Sequence, residues 1–163
     1  RCGMAGEPGH TCARGPKCLS DYQGRISGPL MDRIDIRIDV PAVSAADLIR
    51  PRPAEASADV ARRVAAARER QQERFEWAGM PQVMTNARCS TALIEKIAEP
   101  DAGGLALLRD AAEKLKFSAR GYHRVLKVAR TLADLDGSDT VGRIHLAEAI
   151  SYRMAGERLS AAA

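Results

Sequence analysis

Residues 118–137 read SARGYHRVLKVARTLADLDG, a stretch with a clear helical period. Its apolar residues recur three and four positions apart and so share one side of a helix: Tyr122, Val125, Leu126, Ala129, Leu132 and Ala133. Gly137 follows as a stop signal, because glycine readily takes the left-handed conformation that ends many helices. The pattern predicts an amphipathic helix over Ser118–Asp136.

Four further segments have the same kind of period, and they predict helices over Ser57–Ala78, Ser90–Ala98, Asp101–Lys116 and Val141–Ala155. Asp101 and Thr140 are placed to cap two of them. Phe75 and Trp77 are expected to anchor the long helix. The last helix is expected to bury Ile144, Ala147, Ile150 and Met154. Short connections predict a compact, mainly α bundle.

A different period occurs in residues 34–40, IDIRIDV, where apolar and charged side chains alternate. Alternation is the period of an extended strand, so the isoleucines and Val40 would share one face. A central parallel strand would be apolar on both faces. The segment is therefore predicted to be an edge strand, which Pro41 ends.

The charge balance is mildly basic, with a net charge of +4 and a pI of about 9.1. Such a balance permits contact with phosphates without requiring it. No apolar run reaches the ~20 residues of a membrane-spanning helix, and no secretory leader is recognisable. The chain begins at Arg1 without an initiator methionine. We therefore expect a cytoplasmic protein whose first part is missing.

Arg33 leads the predicted strand, after the rigid turn Ser27-Gly28-Pro29 and beside Asp32 and Asp35. On the residues alone, a surface ion pair with Asp32 or Asp35 is the better interpretation. The alternative is that its guanidinium enters a neighbouring subunit, where an arginine supplied in trans can stabilise the charge that develops during phosphoryl transfer.

Arg120 lies in the first turn of the predicted helix at 118–136, where a cation opposes the helix dipole at a cost of roughly 0.3–1 kcal/mol. A residue placed against its local preference often serves a functional site. The alternative is an exposed arginine that solvent screens. Arg124 and Lys127 extend the same side and could contact phosphate, although a solvated surface fits both.

Residues 25–35, RISGPLMDRID, and residues 118–131, SARGYHRVLKVART, resemble magnesium-chelatase-like AAA+ ATPases of the ComM/YifB type. The resemblance implies a C-terminal fragment: a helical lid bundle plus a remnant of the α/β AAA+ core with its last strand. It makes Arg33 the arginine finger that acts in trans. It makes Arg120 the lid residue, called sensor 2, that contacts the γ-phosphate of its own subunit. Arg124 is a weaker candidate for contact with the nucleotide.

The resemblance also implies domains, cofactors and partners. The divisions are a Cys/Gly-rich loop at 1–24, the end of the core at 25–50, a linker and long helix at 51–82, the lid at 83–156 and a tail at 157–163. ATP and Mg²⁺ would bind in the full-length protein between subunits of a homo-oligomeric, hexameric ring that acts on DNA in recombination and transformation. The sequence contains no GxxxxGK(S/T) loop and no strand that ends in acidic Mg²⁺ ligands. The fragment alone is therefore expected to be inactive.

Three cysteines, Cys2, Cys12 and Cys18, crowd into the first eighteen residues, with His10 between them. In a cytoplasmic protein this clustering suggests a metal before a disulfide. Zinc prefers four Cys or His ligands. Cys2, Cys12 and Cys18 could supply three, and the fourth could be His10 or a cysteine in the missing first part of the protein. The gaps are longer than the two-residue spacing of familiar zinc knuckles, so reduced thiols on a loop are the alternative.

Other functions stay open on the residues alone. The chain could be a basic helical module that binds nucleic acid without a role in ATP turnover, or a small zinc-stabilised structural domain. A chelatase-type ATPase subunit cannot be separated from a DNA motor by sequence. His123 and His145 are isolated histidines, expected on the surface or in helix packing rather than as catalytic bases.

Overall fold

A computed structural model of the chain describes residues 12, 13, 15, 17, 18, 21, 24–38, 40, 43, 49 and 55–154. The chain divides into two compact units, Arg1–Pro51 with Tyr152–Ala163, and Arg52–Ser151. Helices dominate the described residues, so the predicted mainly α class is confirmed. None of the described helices is long and apolar enough to cross a membrane.

The helices are α1 (Gly28–Met31), α2 (Ser57–Trp77), a 3₁₀ turn (Asn86–Arg88), α3 (Thr91–Ile97), α4 (Ala102–Lys114), α5 (Ala119–Leu135) and α6 (Arg143–Met154). In the larger unit, α5 is central, and α2, α3 and the 3₁₀ turn contact it. Its buried side meets a core made mainly of Phe75, Cys89, Leu93, Ile94, Leu108, Val125, Leu126, Val141, Leu146 and Ile150.

Side-chain caps fix where the helices of the larger unit begin. Ser90, Asp101 and Ser118 each accept a hydrogen bond from the backbone N–H three residues further along the chain. Each such cap stabilises its helix by about 1 kcal/mol. The predicted cap at Asp101 is therefore confirmed, and α4 begins directly after it.

The end of α5 is the glycine stop that the sequence predicts. Gly137 has φ of 73°. Its N–H donates to the carbonyl of Asp134 at 3.2 Å, and the Ser138 N–H donates to the carbonyl of Ala133 at 2.8 Å. This pair of bonds is a Schellman motif, which satisfies carbonyls that the helix itself leaves open.

Helix α6 begins later than predicted, at Arg143 rather than Val141, and Thr140 is not its cap. Val141 is instead extended, in a bridge with Pro100, and its carbonyl accepts from the Asp101 N–H at 3.2 Å. The imidazole Nδ1 of His145 accepts the Gly142 N–H at 3.0 Å. His145 thus takes the place of the glutamate in a capping box.

The predicted buried side of α6 is also wrong in part. Ile144 is 71% exposed and Met154 38% exposed, whereas Ile150 is buried as predicted. The side that faces the protein consists of His145, Leu146, Ala149, Ile150 and Arg153. Apolar residues occur on both sides of this helix, so its period could not select the buried one.

Helix α2 is buried only toward its C-terminal end. Phe75 is fully buried, as predicted, but Trp77 is 92% exposed, so the prediction that Trp77 anchors the helix is wrong. Two residues correspond to about 200° of helix rotation, which puts Trp77 on the side opposite Phe75. Val60 and Val64, in the first half of α2, are also exposed.

A buried polar cluster, defined here as Arg74, Asn86, Arg130 and Asp134, joins α2, the 3₁₀ turn and α5. The Asp134 carboxylate accepts from Arg130 Nε at 3.1 Å, from Asn86 Nδ2 at 2.8 Å and from the Arg74 guanidinium. Arg130 is fully buried. Burial lowers the pKa of its guanidinium, and the neighbouring Asp134 carboxylate opposes that shift.

The smaller unit contains α1, which Ser27 caps through the Leu30 N–H at 3.3 Å. The edge strand predicted over residues 34–40 is absent from the described part of this segment. A strand needs a neighbouring strand that pairs with its N–H and C=O groups along its length, whereas the described backbone partner of Arg37 is a single carbonyl, that of Tyr152 in α6. The Ile38 and Val40 side chains are consequently 67% and 81% exposed.

Candidate functional site

Arg120 is the second residue of α5, which begins directly after the cap at Ser118. Its side chain is exposed. The turn that leads into the helix contains Lys116, whose φ of 47° is left-handed, and the Phe117 N–H donates to the Ala112 carbonyl at 3.1 Å. A fixed helix start and an exposed guanidinium therefore share one end of α5. Helix N-termini attract anions through their free N–H groups and their dipole.

The next turn of α5 is engaged in packing. His123 Nε2 lies 2.8 Å from Glu95 Oε1, and its Nδ1 lies 2.7 Å from the Ala119 carbonyl oxygen. These contacts confirm the expected helix-packing role of this histidine. His145 is buried in α6, where it packs as well. Arg124 is half-buried, and its predicted contact with a nucleotide stays a prediction.

The sequence suggested a solvated surface at Lys127, but the structure shows its ammonium bonded to the protein. Its Nζ donates to the Ala87 carbonyl at 2.9 Å and to the Cys89 carbonyl at 2.7 Å. The ammonium thus holds the end of the 3₁₀ turn against α5. Because this charge serves the fold, the predicted phosphate contacts that remain on α5 are those of Arg120 and Arg124.

Arg33 follows α1 in the smaller unit, and its side chain is exposed. Its N–H donates to the Leu30 carbonyl at 3.0 Å, so its backbone continues the turn of α1. The neighbouring Asp32 forms an ion pair with Arg153. One of the two carboxylates that the sequence offered as partners of Arg33 is therefore engaged by another arginine.

The cysteine-rich segment is described only in part. Cys12 and Cys18 are half-buried, and Cys2 and His10 lie outside the described residues. The backbone is helical at Lys17 and Cys18. Within the described part of the chain, no group of three or more His, Cys, Asp or Glu side chains could hold a metal ion. The zinc site stays a prediction.

Family comparisons cover both ends of the chain. Residues 54–153 match the model described as magnesium chelatase, subunit ChlI C-terminal, and residues 1–48 match magnesium chelatase, subunit ChlI. The chain belongs to the magnesium chelatase family. This membership confirms the resemblance to magnesium-chelatase-like ATPases of the ComM/YifB type, which the sequence motifs had indicated.

Individual relatives support the same assignment to the magnesium chelatase family. The chain is 39% identical over 139 residues to the competence protein ComM of Haemophilus influenzae and 38% identical over 139 residues to the uncharacterized protein YifB of Escherichia coli. An uncharacterized protein of Mycobacterium tuberculosis is 37% identical over 142 residues. These matches cover 84–85% of the chain but only 26% of each relative.

Two arginines that the sequence analysis did not single out have defined partners. Arg130 is the central cation of the buried polar cluster, and Arg153 holds Asp32. The spacing of Arg130 and Asp134, four residues apart on the apolar side of α5, could have indicated a buried pair. Nothing local could have linked Arg153 to Asp32, because 121 residues separate them.

Proposed function

We propose that this chain is the lid-bearing part of a magnesium-chelatase-like ATPase that assembles into a homo-oligomeric ring. Arg120 contacts the γ-phosphate of ATP held by its own subunit. Arg33 contacts ATP held by a neighbouring subunit and stabilises the transition state. The observation that carries the proposal is the exposed guanidinium of Arg120 at the capped N-terminus of α5.

The residues at this helix end fit a nucleotide phosphate. Arginine presents a planar fork of N–H donors that matches phosphate oxygens, and the helix N-terminus adds a favourable dipole. The Ser118 hydroxyl accepts the Gly121 N–H, which stabilises the first turn of the helix when no ligand is bound. When ATP is bound, Mg²⁺ supplies positive charge that neutralises its phosphates. We assign no Mg²⁺ ligand to the residues of this chain.

Arg33 fits the second role because it is exposed next to a short, fixed turn. Its backbone is held by the hydrogen bond to Leu30, while its side chain is exposed. An arginine finger must cross a subunit boundary, which requires a rigid base and a free end. The hydrogen-bonded backbone and the exposed side chain of Arg33 support this role.

The proposed ring is hexameric and acts on DNA, as the family resemblance implies. The net charge of +4 supports contact with a polyanion. If the chain itself binds DNA, its affinity falls steeply with added salt. A flat salt dependence in the assembled ring would contradict a DNA substrate.

The roles of the two arginines are tested in the full-length protein by steady-state ATPase assays. We expect Arg33→Ala to lower kcat on the order of 10³-fold with little change in KM. Arg120→Ala should lower kcat/KM by roughly 10- to 100-fold, the effect of one charged hydrogen bond. Arg68→Ala, an exposed arginine of α2, is the matched control and should leave turnover unchanged.

Mixing variants tests which subunit each arginine serves. In a ring of head-to-tail subunits, combining Arg33→Ala subunits with Arg120→Ala subunits creates some interfaces in which both arginines are intact. Activity should therefore return on mixing. If turnover is unchanged in both single variants, the proposed function is wrong. If the variants are inactive and mixing restores nothing, the assignment of one arginine to each side is wrong.

A further inference from the structure

The segment that carries Arg33 is held by the last residues of α6, and both belong to the smaller unit. We propose that Arg153 is a positioning residue for Arg33: its ion pair with Asp32 fixes the direction from which the Arg33 guanidinium leaves the protein. This inference rests on the proposed function of Arg33.

The first contact is the ion pair itself. Arg153 Nη2 donates to Asp32 Oδ1, and the two side chains are only 10% and 26% exposed. A pair so far removed from water is screened little by salt. Asp32 is covalently adjacent to Arg33, so any freedom of the Asp32 backbone would pass directly to the arginine.

A second contact holds the other side of Arg33. The Arg37 N–H donates to the Tyr152 carbonyl at 3.0 Å. Tyr152 and Arg153 are neighbours at the end of α6, so two adjacent residues hold the chain before and after Arg33. The Arg37 side chain closes the loop, because its Nη2 donates to the Met31 carbonyl at 2.9 Å.

The backbone between these points is also fixed. The Arg33 N–H donates to the Leu30 carbonyl, and the Ile34 N–H donates to the Met31 carbonyl at 3.2 Å. The arrangement therefore restrains residues 31–37 and leaves the Arg33 side chain exposed. Restraint of this kind matters for catalysis, because a misplacement of about 1 Å at a reacting group can cost on the order of 10²-fold in rate.

Arginine suits this place better than lysine would. Its planar guanidinium offers several N–H donors in fixed directions, whereas an ammonium is a compact charge on a flexible stem. Arg153→Lys should therefore keep the charge and lose part of the alignment. Its effect on turnover should lie between those of the native residue and Arg153→Ala.

The test is a double-mutant cycle on kcat in the full-length ATPase. Arg153→Ala should lower kcat by about 10²-fold with an unchanged KM for ATP. In an Arg33→Ala background, it should lower kcat no further, because a positioning residue acts only through the residue it positions. Arg143→Ala, an exposed arginine at the other end of α6, is the matched control and should have no effect.

Mixing separates this role from a general weakening of the lid. Arg153→Ala subunits should regain activity with Arg120→Ala subunits and not with Arg33→Ala subunits, which is the behaviour of a finger variant. The opposite pattern would assign Arg153 to the lid and overturn the proposal. Where Arg153→Ala fails to fold, Asp32→Asn weakens the same pair from its other side and should give the same pattern.

The outcomes keep the two proposals apart. If Arg33→Ala leaves turnover unchanged, the finger role fails and the positioning role fails with it. If Arg33→Ala lowers kcat but Arg153→Ala does not, only the positioning role is wrong. Equal losses from Arg153→Ala with and without Arg33 would also show that Arg153 acts by another route.

Discussion

Replacing Asp134 by alanine would remove the only carboxylate of the buried polar cluster. The Asp134 side chain is fully buried, and it accepts from Arg130, Arg74 and Asn86. The perturbation would leave the Arg130 guanidinium, whose side chain is 1% exposed, without its counter-ion. An uncompensated charge of this kind is one of the most costly defects in a protein interior.

The magnitude follows from the partners that remain. Breaking a buried ion pair costs about 3–5 kcal/mol. Arg130 keeps two acceptors, the carbonyls of Ser138 at 2.5 Å and Asp139 at 2.8 Å. Arg74 is 21% exposed and can turn toward water. The expected loss in the free energy of unfolding is therefore near the lower limit, about 3 kcal/mol.

Urea denaturation measures this loss as a lower midpoint at an unchanged m value. Asp139→Ala is the matched control. The Asp139 side chain is fully exposed, and its Oδ1 lies 3.8 Å from Arg70 Nη1, so no measurable change is expected. The double variant Arg130→Met with Asp134→Leu should recover much of the loss, because it removes both charges. A loss below about 1 kcal/mol for Asp134→Ala, which is typical of exposed pairs, would refute the reasoning.

Two further predictions concern the larger unit. At Gly104 a Cβ would lie 2.8 Å from Leu146 Cδ1, so Gly104→Ala should be destabilising by up to about 2 kcal/mol, since overpacking exceeds the gain in helix propensity. At Gly103 the atom nearest to an added Cβ is 3.7 Å away, so Gly103→Ala should be stabilising by about 1 kcal/mol. Equal denaturation midpoints for the two variants would contradict this difference. Burial raises the pKa of the Cys89 thiol above its ordinary 9.0, although Lys127 opposes the shift. The stability that the protonated thiol contributes is therefore present below pH 9.0 and is lost as the pH rises further. Unfolding free energies measured at about pH 8 and pH 10 should therefore fall more for the native chain than for Cys89→Ala, and parallel pH dependences would rule this out.

The helices of the larger unit could be predicted because their signals are local. The apolar period of residues 118–136, the cap at Asp101 and the glycine at 137 each act within one or two turns of the chain. The same local signals failed where neighbours decide the outcome. Val141 has the period of a helix but pairs with Pro100 instead, which delays the start of α6.

Predictions about burial failed for a related reason. An apolar side chain on a helix indicates a buried side only if another element covers it, and nothing in the sequence says what covers Trp77 or Ile144. The isoleucines of the predicted strand show the same limit, because alternation is a property of the segment and pairing is a property of its neighbours. Arg130 shows the opposite failure: its charge gave no indication of burial, yet the fold buries it.

The candidate site could be predicted in part. The positions of Arg33 and Arg120 came from motifs, and their exposure agrees with a role at a surface. Their supporting contacts could not be predicted. Ser118 is adjacent in sequence to the turn it caps, but Arg153 reaches Asp32 from the far end of the chain, and only the folded structure brings them together.

The loop between α5 and α6 takes its shape from main-chain oxygens. Arg130 binds the carbonyls of Ser138 and Asp139, and the Val141 carbonyl accepts from Asp101. Every amino acid carries the same carbonyl group, so the exposed positions Asp139 and Thr140 can exchange one residue for another at little cost, whereas the left-handed φ of Gly137 favours glycine. Insertion or deletion of a single residue would move these oxygens out of reach, so beyond Gly137 the loop is tolerant in composition and intolerant in length.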